Sequence, residues 1–330
     1  MRSSRVTQVL KLLVGINRPA FIWGAPGVGK SAIVRALGAE LERPVVDIRA
    51  PLLDPTDLRG IPMLHDGRAV WCPPAFLPSA GDKPGILFFD ELNAAPPLVQ
   101  ASLYQLTLDR RVGEYRLPDG WSIVAAGNRL EDRALAFRMP SALSNRFVHV
   151  EVEVDYDDWR AWAHRAQIHP LVVGLLALRR ELLHDMRSGE RGFATPRSWA
   201  MASDVLKQFG SVDLCFDVLV GTVGEGAATE LRAFAERTQS GRIVELILDD
   251  PEHAELPSDL GDLYAVVSFL ITSIKDPRSR AACGTLLGRL PVEMAILVAR
   301  DTLRVDPSLR KQPQYTAFIS LHSSSINAHD

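Results

Sequence analysis

Between Trp23 and Gly38 the chain reads "WGAPGVGKSAIVRALG", in which Gly24 is followed after four residues by Gly29, Lys30 and Ser31. That spacing is the pattern of a phosphate-binding loop. Glycines at 24, 27 and 29 permit positive φ, which turns backbone N–H groups inward into a concave anion site, with Ala25, Pro26 and Val28 completing the loop. A helix beginning near Lys30 adds the partial positive charge of its N-terminus. Lys30 is expected to reach the β- and γ-phosphates of a nucleotide, and the Ser31 hydroxyl to take one position on Mg²⁺.

Further polar residues stand where apolar runs stop. In "GILFFDE", residues 85–91, four apolar positions lead to Asp90 and Glu91. A carboxylate at the tip of a buried strand beside a phosphate loop suits Asp90 to hold Mg²⁺, directly or through water. Glu91, one residue on, points elsewhere and can polarise an attacking water. "SIVAAGNR" stops at Asn128, an amide that could fix that water, touch the γ-phosphate, or cap a loop. Arg133, Arg138 and Arg146 follow. A permanently charged, forked guanidinium suits the charge that grows on a γ-phosphate in the transition state, although Arg133 and Arg138 could equally be solvated. In "ATPRSW", residues 194–199, Thr195 is a good N-cap and Pro196 a good first helical residue. Arg197 then sits in a first turn, where a cation opposes the helix dipole unless an anion faces it. It is expected to report nucleotide state from a second domain.

These residues need a scaffold. Across 19–154, strand-like runs at 20–23, 45–49, 85–89, 121–126 and 147–154 alternate with helix-like ones, the pattern of an α/β core whose parallel sheet carries helices on both faces. Val148, Val150, Val152 and Val154 alternate with His149, Glu151 and Glu153, which predicts a strand with one wet face at a sheet edge. Two hairpins interrupt the alternation. One lies in 50–80 with Asp66-Gly67 as its turn, and the other in "RRVGEYRLPDGWSIV", where Pro118-Asp119-Gly120 stands between two strand-like runs.

Beyond Asp155 helical periodicity takes over, at 156–168, 170–186, 196–208, 212–222, 226–239, 259–275, 278–289 and 292–304. The tail after 306, rich in Ser, Gln and His, is expected to be partly disordered. The expected domains are a nucleotide-binding core with insert hairpins (1–154), an all-helical lid (155–245) and a C-terminal helical extension (246–330).

Composition narrows the function classes. The chain has 330 residues, 47% hydrophobic and 23% charged, as in an ordinary globular protein with room for two domains or more. A net charge of −3 gives no global drive toward nucleic acid or anionic membrane. Cys72, Cys215 and Cys283 are too scattered for a disulfide framework or a zinc site and fit a reducing compartment. The run "LYAVVSFLITSI" at 263–274 falls short of the about 20 residues that span a bilayer, and "MRSSRVTQVLKLLVGINRP" reads as a helix rather than a signal peptide. A cytoplasmic protein without membrane insertion is expected.

Taken in order, "GAPGVGKS", "ILFFDE", Asn128, "SNRF" and "TPRSW" resemble the AAA+ ATPases, and most of all their MoxR branch, over roughly residues 10–205. The resemblance implies that Lys30 and Ser31 bind phosphate and Mg²⁺, that Asp90 and Glu91 form the Walker B pair, and that Asn128 is sensor 1. It likewise implies that Arg146 is the arginine finger and Arg197 sensor 2. Asn145 stands where the family usually has Asp. ATP and Mg²⁺ are the implied cofactors, and a ring, a hexamer by resemblance, is the implied active form. The implied role is chaperone-like remodelling of a client protein complex, often with a von Willebrand factor A domain protein as partner. Segments 50–80 and 112–120 are the candidate contact surfaces. Other readings are a nucleic-acid motor using Arg110, Arg111 and Arg116, a chelatase-type metal-insertion motor, and a scaffold with little turnover; nucleic acid is not the expected partner.

Overall fold

The computed structural model describes the whole chain except residues 133–136, 138, 187–190, 239–240 and 327–330. The chain divides into two compact units, Met1–Asp155 and Tyr156–Asp330.

The first unit is built on β1 (Ala20–Trp23), β2 (Val45–Arg49), β5 (Ile86–Asp90), β8 (Ser122–Gly127) and β9 (Val148–Glu151), in the spatial order β2-β5-β8-β1-β9 with every pair parallel. Because all five run the same way, their carboxyl ends share one edge of the sheet. Alternation along each strand divides its side chains between two apolar layers. Ile22, Ile86, Phe88, Val124 and Val150 meet α1 (Ser3–Gly15) and α2 (Lys30–Glu40) through Val6, Leu10, Ile33, Val34 and Leu37. Phe21, Leu87, Phe89, Ile123 and Ala125 meet α4 (Pro97–Asp109) through Val99, Leu103 and Leu106. Truncating one of the large residues here to Ala costs about 2–5 kcal/mol. Among the described residues β9 pairs only with β1, so the alternating valines do mark an edge strand, shorter than its sequence pattern.

Between β2 and β5 lie a one-turn helix α3 (Pro55–Arg59) and the antiparallel hairpin β3 (Ile61–His65) and β4 (Arg68–Cys72). Its turn is Asp66-Gly67, both at positive φ (49° and 74°), as a two-residue hairpin loop requires. A second hairpin pairs β6 (Arg111–Val112) with β7 (Tyr115–Arg116), and here the expectation shifts. It turns at Gly113-Glu114, while Pro118-Asp119-Gly120 connects β7 to β8, which do not pair. Gly113 supplies the positive φ (56°) that a two-residue turn needs.

The second unit is helical among its described residues: α6 (Tyr156–Arg165), α7 (Pro170–Leu178), α8 (Pro196–Phe209), α9 (Phe216–Val223), α10 (Glu225–Thr238), α11 (Gly241–Asp249), α12 (Leu260–Thr272), α13 (Pro277–Leu286), α14 (Val292–Val305) and α15 (Pro313–Ile326). α7 is apolar nearly all round and buries Val172, Val173, Leu175 and Leu176, with α12 its main neighbour. The expected helix 170–186 stops after Leu178, because Arg179 leaves helical geometry (φ −120°, ψ 66°). α6 is tied to α14 by Asp301, fully buried, with Arg160 Nε at 3.3 Å and His164 Nε2 at 3.2 Å.

Two described helices of this unit lie outside the expected set. α11 was hidden by its opening glycine, although Ile243, Val244 and Ile247 recur at helical spacing. Of the tail expected to be partly disordered, the described residues form a 3-10 turn at Pro307–Lys311 and then α15. Tyr315 is fully buried there and donates to Thr302 Oγ1 at 2.9 Å, with Phe318 beside it. These apolar contacts outweigh the polar composition. Among the described residues no helix is long and apolar enough to cross a membrane.

Candidate active site

The loop between β1 and α2 carries Gly24, Ala25, Pro26, Gly27, Val28 and Gly29, with Lys30 and Ser31 opening the helix. Gly27 (φ 78°) and Gly29 (φ 96°) take left-handed conformations that a side chain would strain. Lys30 is only 8% exposed. Its Nζ donates to the carbonyls of Gly24 (2.6 Å) and Ala25 (3.0 Å) and to Oδ1 of Asn128 (2.8 Å). The ammonium therefore joins the loop after β1 to the residue after β8.

Asp90 is the last residue of β5 and 3% exposed. Its Oδ2 accepts from Ser31 Oγ at 2.6 Å and from Arg49 Nη1 at 2.7 Å, and its Oδ1 accepts from the Glu91 amide at 3.0 Å. Arg49 was not among the candidate residues, yet it ends β2 directly beside Asp90 in the parallel register. The β2 and β5 boundaries, read together, would have exposed it.

Glu91 takes a left-handed conformation (φ 57°, ψ 35°), rare for a residue with a side chain. The turn breaks the line of β5, and the exposed Glu91 side chain has no ion-pair partner among the described residues. Asn93, also missed, is buried and donates from Nδ2 to the Asn128 carbonyl at 2.7 Å. Its Oδ1 sits where a Cβ at residue 127 would fall, so that position must be glycine. Arg129 holds the other flank, bonding Asp132 twice (3.0 and 3.2 Å) and Glu151 (2.9 Å). The Asp132 hydrogen bond is the main reason its guanidinium is raised further above its ordinary value. Asn128 is thus fixed by Lys30, Asn93 and the anchored Arg129.

The remaining candidates are spread out. Arg146 follows the short helix α5 (Ser141–Ser144), and its guanidinium lies against Tyr104 of α4, 5.4 Å from the ring centroid and 3.3 Å from the hydroxyl. Arg197 stands in the first turn of α8, behind the Thr195 capping box and Pro196, exposed and without a hydrogen-bond or ion-pair partner among the described residues. Arg133 and Arg138 lie outside the described residues. Arg110 is folded inward, donating to the carbonyls of Pro118 (2.9 Å) and Trp121 (2.8 Å), and its burial lowers the guanidinium below its ordinary value. Of the three arginines considered for nucleic acid, only Arg111 and Arg116 are exposed.

A family model described as an AAA domain of the dynein-related subfamily matches residues 19–147, a span that holds the loop, Asp90, Asn128 and Arg146 but not Arg197. The protein MoxR of Paracoccus denitrificans is 33% identical over 138 residues, 40% of each chain. The protein MoxR of Methylorubrum extorquens is 33% identical over 153 residues, 44% of this chain and 43% of that one. The matches thus span less than half the length of these relatives. Among solved structures, a mutant of Thermotoga maritima RuvB is 15% identical with a TM-score of 0.42, over 84% of this chain and 87% of that one. NtrX from Brucella abortus in complex with ADP is 16% identical with a TM-score of 0.37, over 98% and 66%.

Proposed function

We propose that this chain, a MoxR-like AAA+ protein by its residues 19–147, is an ATPase that works as a ring, a hexamer by resemblance, and uses hydrolysis to remodel, assemble or activate a partner protein complex. The reading is carried by one observation: Lys30, Ser31, Asp90 and Asn128 are linked by hydrogen bonds, Lys30 to Asn128 and Ser31 to Asp90, at the carboxyl ends of β1, β5 and β8.

Each residue then has a task. Loop N–H groups and the N-terminus of α2 bind phosphate oxygens, and Lys30 carries the positive charge that meets the β- and γ-phosphates. Ser31 Oγ and Asp90 Oδ2 are hard oxygen donors side by side, a set that suits Mg²⁺. Bound there with ATP, the ion would neutralise charge on the β- and γ-oxygens. Glu91 is the carboxylate free to take a proton from the attacking water, and Asn128 orients that water or the γ-phosphate.

An arginine finger is worth about 10³ to 10⁵ in rate. The Arg146 guanidinium rests on Tyr104 of its own chain; its role as a finger lent to a neighbouring subunit rests on the family resemblance. Head-to-tail lending generates a ring when its rotation closes. Arg197, a cation on a helical first turn with no partner among the described residues, suits a sensor that carries nucleotide state into the second unit. Client and von Willebrand factor A domain protein are assigned to the β3–β4 hairpin, which exposes Ile61, Met63, Leu64 and Val70, and to the β6–β7 hairpin. Asp57 accepts from the Asp54 amide and Arg59 stacks on Trp71, so charge reversal there would disturb the insert itself. Met63→Lys and Leu64→Lys test the surface more cleanly. A location in the cytoplasm belongs to the same reading.

The test mixes two inactive variants, Arg146→Ala and Glu91→Gln. The first keeps a complete pocket and lends no finger; the second cannot activate water and can lend one. Recovered ATP turnover on mixing is the expected result. No recovery in confirmed mixed assemblies would mean that sites are not shared through Arg146.

A further inference from the structure

Trp23 ends β1 and runs directly into Gly24 of the phosphate loop. Its indole N–H donates to Nδ1 of His149, on the adjacent edge strand β9, at 2.8 Å. An indole nitrogen can only donate, so Nδ1 accepts and the imidazole proton sits on Nε2. Nε2 in turn donates to the Ser144 carbonyl at 2.8 Å, with the Ser144 hydroxyl 3.2 Å away. Ser144 is the last residue of α5, and its carbonyl also accepts from the Phe147 amide at 3.2 Å. Arg146 lies inside that turn. The His149 ring stacks on Trp23 at 26° with centroids 6.0 Å apart, and Phe21 lies against both. One exposed side chain thus uses both nitrogens to join the start of the phosphate loop to the turn that carries Arg146. An exposed position on an edge strand needs no such side chain for pairing, since the ladder bonds are made by backbone.

We infer that His149 is a positioning residue for Arg146: it holds the finger turn against Trp23, so that movement of the phosphate loop on nucleotide binding is passed within one chain to the arginine that chain lends its neighbour. The inference rests on the reading of Arg146 as a shared finger. His149 acts through Arg146, and misplacing a catalytic group by about 1 Å can cost on the order of 100-fold.

The test uses full-length chains in the same mixture, with Glu91→Gln as finger donor and Arg146→Ala as acceptor. Adding His149→Ala to the donor is expected to cut the recovered turnover by about tenfold or more. Adding it to the acceptor is expected to leave that turnover within about twofold, because the acceptor lends no finger. His149→Gln in the donor, whose amide can accept from Trp23 and donate to Ser144, should restore most of the loss. Trp23→Phe in the donor keeps an aromatic ring, loses the N–H and should fall between, which covers the case where His149→Ala folds poorly. Equal loss from either position, or no loss from the donor, overturns the inference alone. No recovery in the parent mixture overturns the shared finger and the inference together.

Discussion

Ser31 Oγ donates to Asp90 Oδ2 across 2.6 Å, both side chains buried, so the loop after β1 and the tip of β5 are joined directly. Asp90→Asn keeps the shape and removes the charge. Turnover is expected to fall by about 100-fold or more, as when a group that stabilises transition-state charge is lost, and half-maximal activity to need more Mg²⁺. An unchanged Mg²⁺ titration would place the metal ligand elsewhere.

Arg49 makes the other bond to Asp90 Oδ2, and its side chain is 45% exposed while that of Asp90 is 4% exposed. Arg49→Ala leaves a buried carboxylate short of its counter-charge, expected to cost about 1–3 kcal/mol after screening at the exposed partner. Thermal unfolding without nucleotide should show the loss. Mg²⁺ with a non-hydrolysable nucleotide should recover much of it, since a ligand that binds the folded state stabilises it. A midpoint equal to wild type without nucleotide would show that the ion pair is energetically idle.

Glu91 holds its left-handed backbone at a cost of about 1–2 kcal/mol. Glu91→Gly should therefore be more stable than Glu91→Ala, by about 1 kcal/mol in denaturant titrations, although neither variant is expected to turn over ATP. The reverse order would mean that the backbone at 91 relaxes once its side chain is gone.

His169 caps α7, its Nδ1 accepting from the Leu171 amide at 3.3 Å. Burial, helped by the Lys207 charge, lowers its pKa from 6.5 to about 4. The unfolded chain takes up that proton more readily than the folded one, so this stabilisation is complete above about pH 6.5 and is lost as pH falls through about 4. Partial exposure limits it to about 2 kcal/mol. His169→Asn keeps a capping acceptor that does not titrate, and its thermal midpoint should fall less than that of wild type between pH 7 and pH 5. Parallel curves would remove His169 as the source.

Much of the first unit could be read from sequence because its signals are local. A glycine pattern, an apolar run ending in Asp90-Glu91 and a strand ending at Asn128 each sit in a few consecutive residues, and alternation marked β9 as an edge. What escaped depended on lateral neighbours. Arg49 matters because β2 lies beside β5, and Asn93 because Gly127 of another strand leaves it room. The His149 contacts join three segments far apart in the chain or in different elements. In the second unit, composition misled at the tail, where Tyr315 and Phe318 outweigh the polar residues around them. The turn at Gly113-Glu114 carries a weaker sequence signal than Pro-Asp-Gly a few residues on.

The most direct measurement is phosphate release from ATP by the wild-type chain across a range of protein concentrations, beside Lys30→Ala. The expected result is a turnover per chain that rises with concentration as subunits assemble and complete one another's sites, and that Lys30→Ala abolishes. ATP turnover that is absent at every concentration, or that survives the loss of Lys30, would contradict the assignment of this site as an ATPase centre.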